Sequence, residues 1–238
     1  MLDTVSFRSK LLATLRAIQP VLAEPGVLVV GSLVPDLLEP AAAATLVVSQ
    51  DVDIAVPVAT HAAVSLRLRE IRDLEPAKDE PSVWLPKRPD LIEVNFVGVD
   101  RDRPGETYVL EHGELPLLVF AHLSLLGAGE PVRVDGLAIP VPRPSGLVLE
   151  KLVTDRSGEK GDRDLLVVLA LLLVSKPGDL DEIERGYVNL PPDLRYLARS
   201  NLTLLSLLEP RAGMPDPQPH RALVARLLER LEQVELER

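Results

Sequence analysis

The sequence predicts an α/β (α+β) protein in which a mixed β-sheet with helices, residues 1–144, precedes a helical C-terminal domain, residues 145–238. Three observations support this prediction. The apolar run 27–30 lies between two glycines and favours a short buried strand over a helix. Apolar segments flank an Asp-Gly pair at 135–136, which is typical of a β-hairpin. Beyond Ser145, whose type is favoured at helix N-caps, only helical patterns follow.

Proline and glycine residues separate most of the predicted helices and strands. In the first part, helices are expected at 1–18, 33–38 and 60–73, strands at 27–30, 51–56, 82–85 and 91–97, and a strand or a buried helix at 115–126. In the second part, helices are expected at 146–156, 165–174, 179–187, 191–208 and 219–237. The second part would pack around the apolar run 165–174 and complete the active-site cleft.

Composition excludes several classes of protein. The chain has 238 residues, 46% of them hydrophobic, which is ample for a core. A net charge of -10 argues against sequence-independent binding to nucleic acid. Cysteine is absent, so no disulfide framework or thiol nucleophile is available. The first 18 residues form an amphipathic pattern, unlike a signal peptide, and the longest apolar run has ten residues, too few for a membrane span; we therefore expect a cytoplasmic protein without a membrane partner.

Two short motifs place polar groups beside predicted strands. Gly31-Ser32 follows the first strand, where the glycine lets backbone approach a phosphate and the serine hydroxyl can donate a hydrogen bond. Asp51 and Asp53 lie two residues apart in the next strand, so their carboxylates project from the same face. Two adjacent like charges are costly without a cation. A hard divalent ion, Mg²⁺ or Mn²⁺, is the usual partner for such a pair.

This combination resembles the nucleotidyltransferase superfamily that includes DNA polymerase beta, whose signature is hydrophobic-Gly-Ser followed by Asp-hydrophobic-Asp. The resemblance implies that Asp51 and Asp53 hold metal ions that bridge an NTP and the attacking hydroxyl. It also implies that Gly31 and Ser32 contact the triphosphate. Taken alone, each motif has an ordinary structural interpretation, a turn for Gly-Ser and a solvated strand end for Asp-x-Asp.

The resemblance further implies a third carboxylate on a neighbouring strand, which would activate the incoming hydroxyl or complete the metal site. In the predicted strand 91–97, Glu93 and Asn95 share the polar face, and Glu93 is the acid that fits this role. Related sequences more often carry an acid at the position of Asn95, so this chain departs from the pattern there. A solvent-facing strand pair without catalytic function is the alternative interpretation.

A second set of motifs follows in the helical part. Leu147, Glu150 and Lys151 form a Leu-x-x-Glu-Lys pattern, and Arg163-Asp164-Leu165 begins the apolar helix. With the earlier motifs, these residues resemble the AbiEii-like (type IV toxin) nucleotidyltransferases over about residues 27–174. An acid that the relatives repeat after Arg-Asp is absent here, where Val167 and Val168 stand.

Lys151 lies on a largely apolar helix, and an ammonium there requires an anion, which a triphosphate would supply. The resemblance implies functional roles for Lys151 and for Asp164, which could orient Lys151 or the acceptor hydroxyl. Arg156 and Lys160 are secondary candidates for contacts to phosphate or acceptor. Alternatively, Lys160 and Asp164 form an exposed i,i+4 pair and Lys151 extends to solvent.

The hypothesis that follows is a metal-dependent nucleotidyltransferase that transfers NMP from an NTP to an acceptor hydroxyl, with release of pyrophosphate. The acceptor could be a tRNA end or other RNA, a protein or a small molecule, and the toxin-like resemblance implies an antitoxin as a possible partner. The alternative is a catalytically degenerate fold that serves as a nucleotide-binding or protein-interaction module. Asn95 and the missing second acid motivate that alternative.

Overall fold

The computed structural model describes residues 4–39, 51–111, 114–154, 158–210 and 215–237. It confirms the predicted fold class, since a mixed β-sheet with helices is followed by a helical C-terminal part. The chain forms two compact units. Unit 1 contains described residues within 4–31, 51–124 and 128–141, and unit 2 contains described residues within 32–39, 125–127 and 142–237.

The strands are short except for two. They are β1 (Leu28–Val30), β2 (Asp51–Pro57), β3 (Leu74–Pro76), β4 (Val83–Pro86), β5 (Glu93–Val99), β6 (Tyr108–Leu110), β7 (Leu117–Val119), β8 (Val132–Val134) and β9 (Leu137–Ile139). The α-helices are α1 (Thr4–Ala17), α2 (Gln19–Leu22), α3 (Val34–Leu38), α4 (His61–Leu68), α5 (Pro144–Val153), α6 (Gly158–Val174), α7 (Pro177–Val188), α8 (Pro192–Leu207) and α9 (Arg221–Leu236). Short 3₁₀ turns are Gly31–Leu33, Val58–Thr60, Ala121–Leu125 and Gln218–His220.

The sheet of unit 1 is mixed, with strand order β1-β2-β5-β4-β3. The central strands β2 and β5 are parallel, and their neighbours β1 and β4 are antiparallel to them. Strand β7 also pairs with β5 at Gly98↔Val119, and β6 pairs with β7. The register of β2 on β5 places Asp51 opposite Glu93 and Asp53 opposite Asn95.

Alternation along the two central strands separates the core from the polar face. Val52, Ile54 and Val94 are fully buried, and Phe96 is nearly so. The residues between them, including the two aspartates of β2, are only half-buried. The period-2 pattern that predicted these strands therefore corresponds to their burial.

Helix α1 is tied to the start of β5 by one buried side chain. Thr14, which is completely buried, donates its hydroxyl to the Lys10 carbonyl at 2.9 Å and accepts the Ile92 N–H at 2.9 Å. The second bond holds the residue immediately before Glu93. The position of that strand thus depends on a helix almost eighty residues earlier.

Strands β8 and β9 form the predicted hairpin. Asp135 and Gly136 both have positive φ, 47° and 80°, as a type I′ turn requires. The Val29 N–H donates to the Pro140 carbonyl at 2.8 Å and so connects the end of the hairpin to β1.

Unit 2 is helical and has α5 at its centre, in contact with α6, α7 and α8. The interior is aliphatic, and its fully buried side chains include Leu147, Val148, Leu152, Val168, Leu169, Leu171 and Leu202. Helix α9 is joined to α7 and α8 through polar contacts. Tyr187 donates to Glu235 at 2.7 Å, Arg199 pairs with the same carboxylate at 2.6 Å, and Arg230 pairs with Glu184.

Three local predictions need correction. The helix expected at 60–73 ends at Leu68, because the chain turns there to enter β3. Ser145 is not an N-cap: Arg143 takes that position, Pro144 begins the helix, and the Ser145 hydroxyl donates to Glu182 at 2.9 Å. The segment 115–126 is neither one strand nor one helix, since it contains β7 and a 3₁₀ turn. No helix in the described ranges has the length and apolarity to cross a bilayer.

Candidate functional site

Two carboxylates and one amide converge on the polar face of the central strands. The side-chain Nδ2 of Asn95 lies 2.8 Å from Oδ2 of Asp51 and 3.4 Å from Oδ1 of Asp53. The parallel register explains this, because it places Asn95 beside Asp53 on the neighbouring strand with both side chains on one face. The amide donor thus occupies the point toward which the two negative charges are directed.

The other end of the same amide has no such partner. Asn95 Oδ1 is buried and accepts no hydrogen bond. A buried carbonyl oxygen without a donor is uncommon in folded proteins and often marks a functional group or a site for an ion. Sequence reasoning treated Asn95 only as a departure from a pattern and did not predict that it contacts both aspartates.

Glu93 lies beside Asp51 across the same strand pair. Burial raises the pKa of the Glu93 carboxyl above its ordinary value, and the negative charges of Asp51 and Glu80 raise it further. The structure therefore brings three of the predicted acids, Asp51, Asp53 and Glu93, to neighbouring positions on one face. Whether Glu93 or Asn95 fills the role of the third acid stays a prediction.

Gly31 is packed against the carboxylate of Asp53. It follows β1 with a φ of 78°, a conformation that glycine adopts without strain. A Cβ at this position would overlap the Asp53 carboxylate and would lie 3.1 Å from its Cγ. The glycine is thus required twice, by its backbone conformation and by the closeness of Asp53.

Ser32 is the next residue, half-buried in the 3₁₀ turn Gly31–Leu33 at the start of the unit 2 segment. Helix α3 follows with only five residues, and Pro35 in its first turn provides no N–H. The N-terminus of this helix therefore offers few N–H groups to an anion, and Ser32 would contribute mainly through its hydroxyl.

A second charged cluster lies inside unit 2. The Lys151 ammonium is 3.2 Å from Oδ1 of Asp164 and 3.5 Å from Oε2 of Glu150. Lys151 and Glu150 are 6% and 3% exposed, so Lys151 does not extend to solvent as the alternative interpretation required. Glu150 is held in turn by Thr154, whose hydroxyl donates to its Oε1 at 3.0 Å.

Asp164 therefore contacts Lys151, one of the two roles that the sequence left open. Glu150 belongs to the quoted motif but received no role from the sequence, although an acid in the middle of an apolar helix was a usable signal. Arg156 lies outside the described residues, and Lys160 lies in α6, where only the backbone is described.

The oxygen donors of the first cluster fit a hard divalent cation. Asp51 and Asp53 offer carboxylates directed at one point, and the buried Asn95 carbonyl is a further oxygen of the kind that Mg²⁺ prefers. Among the described residues, no three Asp, Glu or His side chains are grouped closely enough to hold one ion by themselves. This agrees with the usual binding of Mg²⁺ in proteins, through one or two carboxylates together with waters and substrate phosphates.

Comparisons with known proteins yield fold neighbours alone. No family model matches the chain, and no curated protein matches it. One similar structure is an antigenic nucleotidyltransferase-like protein from Paracoccidioides brasiliensis, with 16% identity, coverage of 83% of this chain and 93% of that chain, and a TM-score of 0.45. Another is JHP933 from Helicobacter pylori, with 15% identity, coverage of 100% and 96%, and a TM-score of 0.45. At these values neither similarity carries an argument about function.

Proposed function

We propose that this protein is a metal-dependent nucleotidyltransferase of the AbiEii-like kind, which transfers NMP from an NTP to an acceptor hydroxyl. The observation that carries the proposal is the convergence of Asp51 and Asp53 on one point of the sheet surface, next to a glycine that leaves no room for a side chain. Paired carboxylates that hold Mg²⁺ or Mn²⁺ are one arrangement that supports phosphoryl transfer.

In this reaction the acceptor oxygen attacks the α-phosphorus, the bond from that phosphorus to the oxygen bridging to the β-phosphate breaks, and pyrophosphate leaves. A bound Mg²⁺ supplies positive charge to the phosphoryl oxygens. Asp51 and Asp53, which converge on one point, would hold that ion. Glu93 accepts the proton of the attacking hydroxyl, a role favoured by the raised pKa of its carboxyl. Gly31 and Ser32 contact the phosphates through backbone and hydroxyl.

The role of Lys151 is a separate part of the proposal. Its ammonium and its partner Asp164 contribute to triphosphate binding, with Arg156 and Lys160 as further candidates. Because Lys151 already contacts two carboxylates, its proposed contribution is tested best by nucleotide affinity and not by transfer alone. The acceptor class stays open among RNA, protein and small molecule, and an antitoxin is a possible partner.

The test is incubation of the full chain with each labelled NTP, Mg²⁺ and cell extract, followed by identification of the labelled product and measurement of pyrophosphate. We expect label transfer with at least one nucleotide and its loss in Asp53→Ala. The matched control is Asp79→Ala, which removes an exposed acid and should leave transfer unchanged. Equal labelling by Asp53→Ala and the unaltered protein would rule out the proposed site.

A second candidate function is supported by one observation. Asn95 stands where the resemblance calls for a carboxylate, which fits a degenerate fold that binds nucleotide or a partner protein without transfer. Mg²⁺-dependent NTP binding without pyrophosphate release, for every nucleotide and extract tested, would favour this function over the first.

A further inference from the structure

We propose that Asn95 is itself a ligand of the divalent cation. Its side-chain amide flips between the cation-free and the cation-bound protein, so that its nitrogen and oxygen exchange places. This inference rests on the proposed function, since it concerns the metal site at Asp51 and Asp53. It goes further because it assigns a role to the residue by which the chain departs from the pattern that it resembles.

The cation-free arrangement already contains a substitute for the ion. Asn95 Nδ2 contacts one oxygen of each aspartate, at 2.8 Å and 3.4 Å. The N–H groups of an amide carry partial positive charge, so this donor offsets part of the repulsion between the two carboxylates. A cation that contacts the same two oxygens would therefore lie next to the position that Nδ2 now occupies.

The unsatisfied end of the amide identifies the second state. Asn95 Oδ1 is buried without a hydrogen bond, which is unfavourable as long as nothing binds to it. The terminal torsion of asparagine is soft and roughly two-fold, so the nitrogen and the oxygen can exchange places with almost no change in shape. When a cation lies between the aspartates, the N–H groups would be repelled, whereas the carbonyl oxygen is a hard ligand of the kind that Mg²⁺ accepts.

The strand register allows this exchange without movement of the backbone. Asn95 is opposite Asp53 in the parallel β2–β5 pair, and the alternation of both strands keeps the two side chains on one face. An aspartate at position 95 could not serve both states, because in the absence of a cation it would add a third negative charge to the pair. Compared with an aspartate, asparagine at position 95 therefore lowers the affinity for the cation but keeps the cation-free protein stable.

This account predicts that two substitutions change cation affinity in opposite directions. Asn95→Asp adds charge and should bind Mn²⁺ more tightly, by about tenfold, while the cation-free protein melts at a lower temperature. Asn95→Leu keeps the approximate size but removes the ligand oxygen, and it should weaken Mn²⁺ binding by about tenfold. Asn189→Asp is the matched control, since the side-chain amide of Asn189 donates to the Arg185 carbonyl at the end of α7.

The experiment uses the full chain after removal of metal by a chelator. Mn²⁺ affinity is measured from the electron paramagnetic resonance signal of the free ion, and melting temperatures are recorded with and without Mg²⁺. The side-chain amide signals of Asn95, assigned by their loss in Asn95→Asp, should shift on addition of Mg²⁺ in a ¹H–¹⁵N spectrum. Those of Asn189 and Asn201 should stay in place, because both donate to helix carbonyls of unit 2.

The possible results are distinct. Opposite changes in Mn²⁺ affinity for the two variants, together with the shift of the Asn95 amide signals, would support the proposal. Unchanged Mn²⁺ affinity in Asn95→Leu, in a protein that still loses affinity on Asp53→Ala, would overturn the assignment of Asn95 and leave the metal site intact. Failure of the unaltered protein to bind either cation would overturn both this inference and the metal-dependent function.

Discussion

The two charged clusters of this protein differ in composition and in burial. On the polar face of β2 and β5, Asp51 and Asp53 are half-buried, and both lie within hydrogen-bonding distance of the neutral side-chain amide of Asn95. In unit 2, Lys151 is 6% exposed and contacts two carboxylates, so positive and negative charges are combined inside the helical core. The first cluster directs two carboxylates at one neutral amide and is suited to a cation, whereas in the second cluster a lysine offsets part of the charge of two carboxylates.

The largest change in stability is expected when the ion pairs of Lys151 with Glu150 and Asp164 are removed. Lys151→Met would leave Glu150 and Asp164 facing each other in the core and should cost about 3–5 kcal/mol of unfolding free energy. Urea denaturation of the full chain measures this. Lys87→Met is the control, because Lys87 forms an exposed pair with Glu75 at 3.5 Å and should change stability by less than about 1 kcal/mol.

A second substitution, at Asp164, tests whether its ion pair with Lys151 stabilises the cluster. Adding Asp164→Asn to Lys151→Met removes one of the two negative charges that Lys151 contacts, so the double variant should recover part of the lost stability. Purely additive losses would show that the ion pair is not what stabilises the cluster.

A smaller effect is expected at Gly31. Gly31→Ala would introduce a Cβ at positive φ and against the Asp53 carboxylate, at a cost of about 1–3 kcal/mol. Gly105→Ala separates the two causes, since Gly105 has a φ of 86° but open space around its Cα. If both variants lose the same stability in thermal denaturation, the contact with Asp53 contributes nothing.

The first cluster should respond in the opposite direction from the second. Asp53→Asn removes one of two like charges and should stabilise the cation-free protein by about 0.5–2 kcal/mol, while it removes the stabilisation by Mg²⁺. Asp90→Asn is the control, because it breaks an exposed pair with Arg88 and should destabilise slightly. A loss of stability in Asp53→Asn without cation would contradict the comparison.

The smallest effect concerns pH. The folded protein raises the pKa of Glu93, so it binds that proton more tightly than the unfolded chain does. The stability from this group is complete below the ordinary Glu pKa of 4.5 and declines as pH rises through the higher folded pKa. Glu93→Gln should therefore be more stable than the unaltered protein near neutral pH and equal to it below pH 4.5, as measured by denaturation across pH. A constant difference at all pH values would show that the carboxyl is not the cause.

Local sequence patterns correctly predicted the strands and turns whose structure depends on properties of their own residues. Alternation identified β2 and β5, and Asp135-Gly136 identified the hairpin, because side-chain period and positive φ are local properties. The end of α4 at Leu68 and the start of α5 at Pro144 were missed, since chain direction and the contact of Ser145 with Glu182 depend on distant residues. Helix and strand ends are decided by such contacts.

The same distinction applies to the candidate site. That Asp51 and Asp53 share a face follows from their spacing, and the sequence predicted it. That Asn95 donates to both of them depends on the register of β2 on β5, which joins residues more than forty positions apart and leaves no local mark. The sequence predicted that Lys151 requires an anion, whereas its contact with Asp164 became visible only from the packing of α5 against α6.

The hydrogen bond to the Thr14 hydroxyl predicts the effect of an N-terminal truncation. Because it holds the amide that immediately precedes Glu93, deletion of the first seventeen residues would remove the anchor of the strand that carries both Glu93 and Asn95. Such a truncated chain should retain its C-terminal helices yet lose its response to Mg²⁺. Thr14→Val removes the hydroxyl and should reproduce this loss without any deletion. Thr14→Ser keeps the hydroxyl and should retain the response to Mg²⁺.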